Sequence, residues 1–313
     1  MSLSLRFLGT SAARPTVERG VSSIALVREG ETILFDCGEG TQRQMMRYGV
    51  GFSIDEIFFT HFHTDHLLGL VGLTRTMSLQ GRNETLRLYG PVGAQKALRA
   101  CIVFGGERLT FPVEIAELEN GHVLDRKDYE IHAVSADHRG ATALGYAMIE
   151  KTRLGRFNPV LARELGIPEG PLWGLLHRGQ TVTLADGSQV AASALVGEAR
   201  AGRRVVISGD TRPTTALQAL AERADVLVHE ATFGDDEAER AVETGHSTAR
   251  EAATLARTAG VRRLLLTHFS ARYSRDPGEL VTQGQSVFPA TVAARDGLEI
   301  DVPFEVEQPS ALG

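Results

Sequence analysis

The sequence predicts a layered α/β fold in one large domain, and three observations support this prediction. Short apolar runs alternate with helical segments along most of the 313 residues. Apolar residues make up 42% of the chain and charged residues 23%, which is typical of a globular protein and excludes a disordered or fibrous one. The two cysteines, Cys37 and Cys101, are too few for a disulfide framework, and a chain of this length buries a full core without one.

The N-terminal third of the chain combines strand and helix patterns. Apolar runs predict four strands, at residues 3–8, 22–27, 32–37 and 56–60. Glu29-Gly30 has the composition of a tight hairpin turn and joins the second strand to the third. Apolar residues at helical spacing predict helices over 38–48 and 67–79.

The remainder of the chain continues the alternation. Further apolar runs predict strands at 129–136, 144–149, 204–208, 226–229 and 263–267. A helix is predicted over 248–259. Two predicted strands end in Thr-His-Phe, at 60–62 and at 267–269. This echo is compatible with an internal duplication and also with chance, since the shared motif is short.

Residues 151–178 interrupt the alternation of strands and helices. They contain three prolines, four glycines and the single tryptophan, and no helical or strand period runs through the whole segment. Five basic and two acidic side chains give the segment a net charge of +3, whereas the whole chain has a net charge of −6. We expect a basic arm that projects from the fold, because long irregular connections are usually functional or disordered. A packed irregular connection is the alternative.

The strongest chemical signal is the sequence HFHTDH at residues 61–66, directly after a predicted strand. In an extended chain His61 and His63 lie on one side. A turn after them directs Asp65 and His66 toward the same space from the next helix. Two ligand pairs that reach different points suit two metal ions, whereas a structural zinc site more often uses cysteines.

Three more candidate ligands follow predicted strands, namely His138, Asp210 and His268. Side chains at the carboxyl ends of strands project into a shared crevice. Imidazole and carboxylate groups are the expected ligands of zinc-like metals, and an aspartate has two oxygens with which to bridge two cations. Three other histidines lack this setting, and we interpret them as structural or surface residues: His122, His132 and His177.

Two further residues are candidates for proton transfer. Glu230 closes a predicted strand, and His246 precedes a predicted helix. A carboxylate that orients an imidazole near the metals would make a general acid. The alternative is a structural role, in which Ser247 or Thr248 caps the helix and His246 only precedes it.

The motifs of this chain resemble those of a known family. HFHTDH is similar to the HxHxDH signature of the metallo-β-lactamase superfamily. Over nearly the whole length, the order of motifs resembles the ribonuclease Z family of tRNA 3′-processing endoribonucleases. The similar segments are FLGTSAARPTVERGVSS, FDCGEGTQRQM, THFHTDHLLGLVGL, SGDTRP, HEATF, GHSTA and LTHFSARY. GPLWGLLHRGQTV resembles the segment that follows the exosite arm of the bacterial short form.

The resemblance implies a four-layer αβ/βα sandwich, the metallo-β-lactamase fold, with a protruding exosite arm. It places one such domain over 1–313 and the flexible, basic, tRNA-binding arm over 151–178. It also implies two Zn²⁺ ions per subunit, with Mn²⁺ as an alternative. The implied ligands are His61, His63 and His138 for the first ion, Asp65, His66 and His268 for the second, and Asp210 for both.

The resemblance further implies roles in catalysis and binding. Asp65 accepts a proton, and the pair Glu230 and His246 helps to protonate the leaving oxygen. The implied activity removes the 3′ trailer from precursor tRNA, leaving a 3′-OH on the tRNA and a 5′-phosphate on the trailer. Members of this kind work as homodimers. The basic residues of the arm that would contact tRNA are Lys151, Arg153, Arg156 and Arg163.

Other functions on the same fold stay open. A small-molecule phosphodiesterase or lactonase would keep the ligands but would not need a basic arm. A di-iron, oxygen-reducing relative would replace ligands in the HxHxDH pattern, and a non-catalytic RNA-binding relative would have lost some of them. The sequence shows no apolar run of transmembrane length and no apparent signal peptide, so we expect a cytoplasmic protein without a membrane partner.

Overall fold

A computed structural model describes residues 2–106 and 108–305, and its chain divides into two compact units. The larger unit comprises the described residues up to Arg126, residues 130–148 and the described residues from Arg203 onward. The smaller unit comprises 127–129 and 149–202. All the predicted metal ligands belong to the larger unit.

The first sheet of the larger unit has seven strands. They are β1 (Leu3–Gly9), β2 (Ser23–Arg28), β3 (Glu31–Phe35), β4 (Glu56–Phe58), β5 (Leu86–Pro91), β6 (Val113–Leu118) and β16 (Glu299–Asp301). Their order is β16-β1-β2-β3-β4-β5-β6, and the pairs from β3 to β6 are parallel. The carboxyl ends of β3 and β4 therefore lie at the same edge.

The second sheet also has seven strands. They are β7 (Val123–Asp125), β8 (Tyr129–Ala136), β9 (Ala143–Glu150), β12 (Arg204–Ile207), β13 (Val226–Glu230), β14 (Leu264–Thr267) and β15 (Thr291–Ala293). Their order is β15-β14-β13-β12-β9-β8-β7. The pairs from β12 to β15 are parallel, so the ends of β12, β13 and β14 also share one edge.

Helices flank both sheets of the larger unit. They are α1 (Thr41–Tyr48), α2 (Thr64–Leu67), α3 (Gly69–Leu79), α4 (Ala94–Val103), α7 (Thr215–Leu220), α8 (Ala238–Thr244), α9 (Ala249–Ala259) and α10 (Gly278–Gln285). Short 3₁₀ turns occur at Asp235–Glu237 and Ala271–Tyr273. Helices α1 and α4 pack on the first sheet, and α9 and α10 pack on the second. Within the part of the chain that is described, no helix is long and apolar enough to cross a membrane.

Aromatic side chains join the two sheets. The Tyr146 ring, on β9, lies 5.8 Å from the Phe35 ring and 5.4 Å from the Phe58 ring, measured between centroids. Its hydroxyl donates a 2.7 Å hydrogen bond to the carbonyl of Phe59 and so satisfies the polar end of a fully buried residue. Helices outside two packed sheets make the four-layer αβ/βα sandwich, and this fold prediction is confirmed.

The strands and helices predicted from the sequence are all present, with small shifts at their ends. The hairpin turn is confirmed, since Glu29 (φ 50°) and Gly30 (φ 90°) both adopt the left-handed conformation of a tight primed turn. The helix predicted from residue 38 begins instead at Thr41. Gly40 is left-handed (φ 81°), so the helix cannot pass through it. A Cβ at Gly38 would lie 2.2 Å from the Asp65 carbonyl, so only glycine fits at that position.

The smaller unit shows regular structure where the sequence shows no single period. It contains α5 (Pro159–Glu164), α6 (Pro171–His177), the short strands β10 (Val182–Thr183) and β11 (Gln189–Val190), and a 3₁₀ turn at Ala192–Ala194. Two of its prolines stand in the first turn of a helix, where the missing N–H costs nothing. Two of the three prolines that interrupt the sequence pattern therefore mark helix starts, and Pro168 lies in the connection between α5 and α6.

The smaller unit has a hydrophobic cluster of its own. Its buried members are Ala162, Ile167, Leu176, Val182 and Leu195. The Trp173 ring packs against this cluster, and its indole N–H donates to the carbonyl of Ile167 at 3.2 Å. Residues 149–202 carry six basic and five acidic side chains. The positive charge is thus concentrated in residues 151–178, and the compact unit extends well beyond them.

Candidate metal centre

The structure brings the seven predicted ligands together at the strand ends of both sheets. His61 follows β4 of the first sheet, whereas Asp210 and His268 follow β12 and β14 of the second. The side chains of these three residues are buried. The two Thr-His-Phe echoes therefore end strands of different sheets and supply one histidine each.

Among the described residues, five overlapping groups of three side chains could hold an ion, and two of these groups match the predicted ligand sets. The first is His61, His63 and His138, and the second is Asp65, His66 and His268. Within each group the ligand atoms lie within 4.8 Å of one another. Nε2 of His138 is 3.1 Å from Nδ1 of His63, and Nε2 of His66 is 3.3 Å from Nε2 of His268.

Asp210 lies between the two groups. Its Oδ2 atom is 3.4 Å from Nε2 of His66 and 3.3 Å from Nε2 of His268, which belong to the second group. The same oxygen is 3.7 Å from Nε2 of His61 and 4.0 Å from Nε2 of His138, which belong to the first. This placement is the one that a bridging carboxylate requires.

Hydrogen bonds fix which nitrogen carries a proton in two of the rings, those of His66 and His138. Nδ1 of His66 faces the Asp36 carboxylate at 2.7 Å, and Nδ1 of His138 faces the Gly245 carbonyl at 2.9 Å. Both partners can only accept, so these Nδ1 atoms are protonated. In the neutral rings, Nε2 of His66 and His138 carries a lone pair directed into the cluster, which suits a metal ligand.

The side chains of the cluster fit a metal cation, because without one a buried histidine nitrogen has no partner and a neighbouring histidine takes up a proton. Nε2 of His61 is buried and has no hydrogen-bond partner among the residues described. Burial and the neighbouring His66 lower the pKa of His61 well below its usual value, so its ring stays neutral. Burial alone would also lower the pKa of His66, but Asp210 and Asp36 raise it well above the usual value. A proton on His66 thus occupies the position that a metal would take.

Sequence reasoning missed Asp36, which organises two of the ligand rings. Asp36 directly follows β3, and besides His66 it accepts from the Thr60 hydroxyl at 2.9 Å. Because that hydroxyl donates to Asp36, it can accept from Nδ1 of His61, 3.1 Å away. Asp36 also adopts a left-handed backbone (φ 59°), which is strained for a residue other than glycine. The sequence feature that could have indicated Asp36 is a lone carboxylate at the end of an apolar strand.

Asp65 is held from a second direction by the loop after β1. The backbone N–H of Ala13 donates to Oδ2 of Asp65 at 2.8 Å, and Ala13 is itself left-handed (φ 59°). Burial favours the neutral acid, but hydrogen bonding to His268 and the nearby His66 lower the pKa of Asp65 below its usual value. The carboxylate is therefore ionised and fixed in orientation.

Glu230 and His246 form the predicted carboxylate–imidazole pair. Oε1 of Glu230 lies 2.7 Å from Nδ1 of His246, and Glu230 is buried whereas 15% of the His246 side chain is exposed. Burial alone would lower the pKa of His246, but Glu230 and then Asp210 raise it to about 9. The imidazole is therefore protonated at neutral pH and faces the cleft, as a general acid requires.

A second ion pair supports the chain at His246. Arg212 donates to the His246 carbonyl and also pairs with Glu251, with 2.8 Å between Nη1 and Oε2. Glu251 in turn completes a capping box with Thr248 at the start of α9. Thr248 is therefore the N-cap of α9, as the structural alternative for this segment predicted. His246 lies two residues earlier, and its ring points to Glu230.

A cleft of about 300 Å³ opens over the cluster. Its lining includes His63, Asp65, Asp210, His246 and His268.

The three histidines that we interpreted as structural or surface residues have other partners. They are His122, which accepts from the Glu119 N–H, His132, which pairs with Glu130, and His177, which contacts the Gly155 carbonyl.

Comparisons with known proteins agree with this description. Residues 3–153 match the family model "Anti-Pycsar protein Apyc1", and residues 176–269 match "Beta-lactamase superfamily domain". A protein of Gemmatimonas aurantiaca named Ribonuclease Z is 63% identical over 98% of both chains. Another of that name, from Myxococcus xanthus, is 55% identical over 96% of this chain and 98% of its own.

A solved structure, human tRNase Z, short form, superposes with a TM-score of 0.70 at 29% identity, covering 96% of this chain and all of the human one. The sandwich and its strand-end cluster of histidines and aspartates define a metal-binding protein of the metallo-β-lactamase superfamily. The identities of 63% and 55% over nearly the full length identify one family within this superfamily. The chain belongs to the ribonuclease Z family.

Proposed function

We propose that the chain is a metal-dependent endoribonuclease that removes the 3′ trailer from precursor tRNA. The products are a tRNA with a 3′-OH and a trailer with a 5′-phosphate. The observation that carries this proposal is the 63% identity to a protein named Ribonuclease Z across 98% of both chains. The cluster at the strand ends supports it, because phosphodiester hydrolysis is a reaction that paired metal ions promote.

The proposed metals are two Zn²⁺ ions per subunit, and Mn²⁺ is the alternative occupant. The proposed ligands are His61, His63 and His138 for one ion, Asp65, His66 and His268 for the other, and Asp210 for both. When bound, such cations lower the pKa of water and neutralise charge on a phosphodiester. The lone pairs that Asp36 and the Gly245 carbonyl direct inward support this assignment.

The proton transfers are assigned to residues on the cleft. Asp65, ionised and held by the Ala13 N–H, accepts the proton of the attacking water. His246, protonated and oriented by Glu230, donates a proton to the departing 3′ oxygen of the tRNA. A protonated donor matters here because an alkoxide is a poor leaving group.

The specificity for tRNA is assigned to the basic part of the smaller unit. Nothing in the metal chemistry reads a base sequence, so the tRNA body must be held elsewhere. The candidates are Lys151, Arg153, Arg156 and Arg163, of which Arg163 stacks over Trp173 and pairs with Glu169 at 2.8 Å. In a chain with a net charge of −6, local basic side chains are needed to attract phosphate.

The proposed assembly is a cytoplasmic homodimer in which the basic arm of one subunit serves the cleft of the other. Complementation tests it. A subunit with glutamine at positions 151, 153 and 156 and a subunit carrying His246→Ala should each cleave precursor tRNA slowly. Mixed and allowed to exchange subunits, they should regain part of the activity. No recovery in a mixture shown to contain heterodimers would contradict this arrangement.

A substrate panel tests the proposed function. Metal-loaded protein should cleave precursor tRNA far faster than it hydrolyses a lactone, and a chelator should abolish the cleavage. It should also hydrolyse bis(p-nitrophenyl) phosphate, since that diester needs the metal site but no tRNA contacts. Rapid lactone hydrolysis with no cleavage of precursor tRNA would instead favour the small-molecule hydrolase.

A further inference from the structure

Two arginines line the cleft without a part in the proton transfers, namely Arg14 and Arg240. The cleft volume of about 300 Å³ is at the lower end of the range for small-molecule sites. It therefore accommodates the reacting phosphodiester and a neighbouring group but not a folded RNA. The strand on both sides of the reacting bond must pass over the rim of the cleft.

Arg14 lies in the loop that follows β1 and is exposed. The backbone at this point is fixed, because the Ser11 hydroxyl donates to the Arg14 carbonyl at 2.8 Å and the adjacent Ala13 N–H binds Asp65. Across residues 2–106 and 108–305, no carboxylate pairs with the Arg14 guanidinium. Its full charge is therefore available to an anion at the cleft.

Arg240 reaches the cleft from α8, and 55% of its side chain is exposed. Its guanidinium lies over the Phe233 ring, 5.6 Å from the centroid, in the geometry of a cation–π contact. Its acidic neighbour is Glu237, at 3.9 Å. Glu237 already pairs closely with Arg272 and accepts from the Tyr273 hydroxyl at 3.3 Å, so it neutralises little of the Arg240 charge.

The two arginines approach the cleft from different walls, one from the loop after β1 and one from α8. Between them the lining carries the carboxylates of Asp65 and Asp210, which would repel a phosphate without the metals. RNA has a phosphate on each side of any internal phosphodiester. Guanidinium groups are suited to phosphate because they present several N–H donors in one plane.

We propose that Arg14 and Arg240 bind the two backbone phosphates that flank the reacting phosphodiester. This inference rests on the proposed function, since it assumes an RNA strand in the cleft. The contacts would hold the strand across the cleft independently of base identity. They are separate from the contacts assigned to the basic part of the smaller unit, which would hold the tRNA body.

Single-turnover cleavage of precursor tRNA at several salt concentrations tests the proposal. In Arg14→Gln and in Arg240→Gln, the enzyme concentration for half-maximal rate should rise roughly tenfold, as expected for one lost charged hydrogen bond. The slope of log affinity against log salt should fall by about 0.7–0.9 for each lost phosphate contact. The diester bis(p-nitrophenyl) phosphate has no flanking phosphates, so the ratio of tRNA to diester activity should fall about tenfold.

Arg99→Gln is the matched control, because it makes the same charge change on α4, away from the cleft. It should leave both activities unchanged. A wild-type salt slope in either cleft variant would overturn the proposal for that residue, as would equal losses on both substrates. If the wild-type protein failed to cleave precursor tRNA, the proposed function would be wrong. Binding of a single-stranded oligoribonucleotide by the same variants would then still decide this inference.

Discussion

Asp36 sets the orientation of two rings in the candidate metal centre, although it touches no proposed ion. It accepts from Nδ1 of His66 directly and fixes His61 through the Thr60 hydroxyl. Partners of this kind keep the imidazole in the tautomer that binds metal. The orientation of a proposed ligand therefore depends on residues that contact the ligand itself and not the ion.

Weakening the Asp36 contact should weaken metal binding. Asp36→Asn removes the negative charge that polarises His66, and we expect metal affinity to fall by roughly 10- to 100-fold. Competition with a chromogenic chelator measures this affinity. Asp225→Asn, which alters a carboxylate bound to Arg204 and Arg262 instead, should bind metal like the wild type. Wild-type affinity in Asp36→Asn would show that the residue does not support the site.

Removing the proposed general acid should slow the chemical step without emptying the metal site. His246→Ala should lower the single-turnover rate on precursor tRNA by on the order of 10²–10⁴-fold. The loss on bis(p-nitrophenyl) phosphate should be smaller, because p-nitrophenolate leaves without a proton. His122→Ala, a surface histidine, serves as the control. Equal losses on both substrates would assign His246 to another role.

The sequence located the seven side chains that the structure brings together, and their roles as metal ligands stay predictions. The seven proposed ligands could be picked out because each follows an apolar strand or lies in the HFHTDH segment. Asp36 ends a strand too, but its importance depends on a 2.7 Å contact with a residue 30 positions later in the chain. The Ala13 N–H leaves no trace in the sequence at all, because any residue except proline supplies one.

Among the helices and strands, the start of α9 has two roles: its capping box stabilises the helix, and its ion pair supports the backbone of His246. Thr248 and Glu251 form the capping box, and Glu251 also holds Arg212, which donates to the His246 carbonyl. Thr248→Ala and Glu251→Ala should each lower the free energy of unfolding by about 1 kcal/mol through the lost cap. Thermal or chemical unfolding measures both effects.

The two variants should differ in activity. Only Glu251→Ala releases Arg212, so only that variant should also slow precursor tRNA cleavage, because His246 loses its backbone support. Thr248→Ala, with its ion pair intact, is the matched control. If both variants retained the wild-type single-turnover rate, the Arg212–Glu251 pair would contribute to stability alone.

The elements predicted from the sequence are those with an apolar run or a helical period, and other elements, among them α4 and α10, were not predicted. Nine strands of the two sheets were predicted because they appear as apolar runs, whereas β5, β6, β7, β15 and β16 were not predicted. The strands β7, β15 and β16 have only three residues each, and β6 is largely exposed, so none of these four gives an apolar run. In residues 151–178 the helices α5 and α6 are only six and seven residues long, which is too short to show a period. Asn158 and Pro159 were the available start signal, since Asn158 caps α5 by accepting from the Leu161 N–H.

At the scale of the whole molecule, charge is distributed unevenly. A net charge of −6 predicts weak attraction for RNA in general, and residues 151–178 are the exception with +3. Deleting this segment would remove Ala162, Ile167 and Leu176 from the hydrophobic cluster of the smaller unit. Charge substitutions at the surface therefore make a cleaner test than a deletion.

Replacing Lys151, Arg153 and Arg156 together by glutamine should weaken binding of precursor tRNA strongly. Each lost phosphate contact should lower the log–log salt slope by roughly one. Hydrolysis of bis(p-nitrophenyl) phosphate should fall much less. Fluorescence anisotropy with labelled precursor tRNA measures binding, and a triple replacement of Arg87, Arg99 and Arg108 provides the control. An unchanged slope would mean that the tRNA body is held elsewhere.

The end groups produced from a precursor tRNA are the sharpest test of the proposed endoribonuclease activity. Metal-loaded protein is incubated with a precursor labelled on both sides of the mature 3′ end, and the products are examined by nuclease and phosphatase mapping. We expect one cut that leaves a 3′-OH on the tRNA and a 5′-phosphate on the trailer, and no cut after chelation. A 3′-phosphate product, or cleavage that persists without metal, would contradict it.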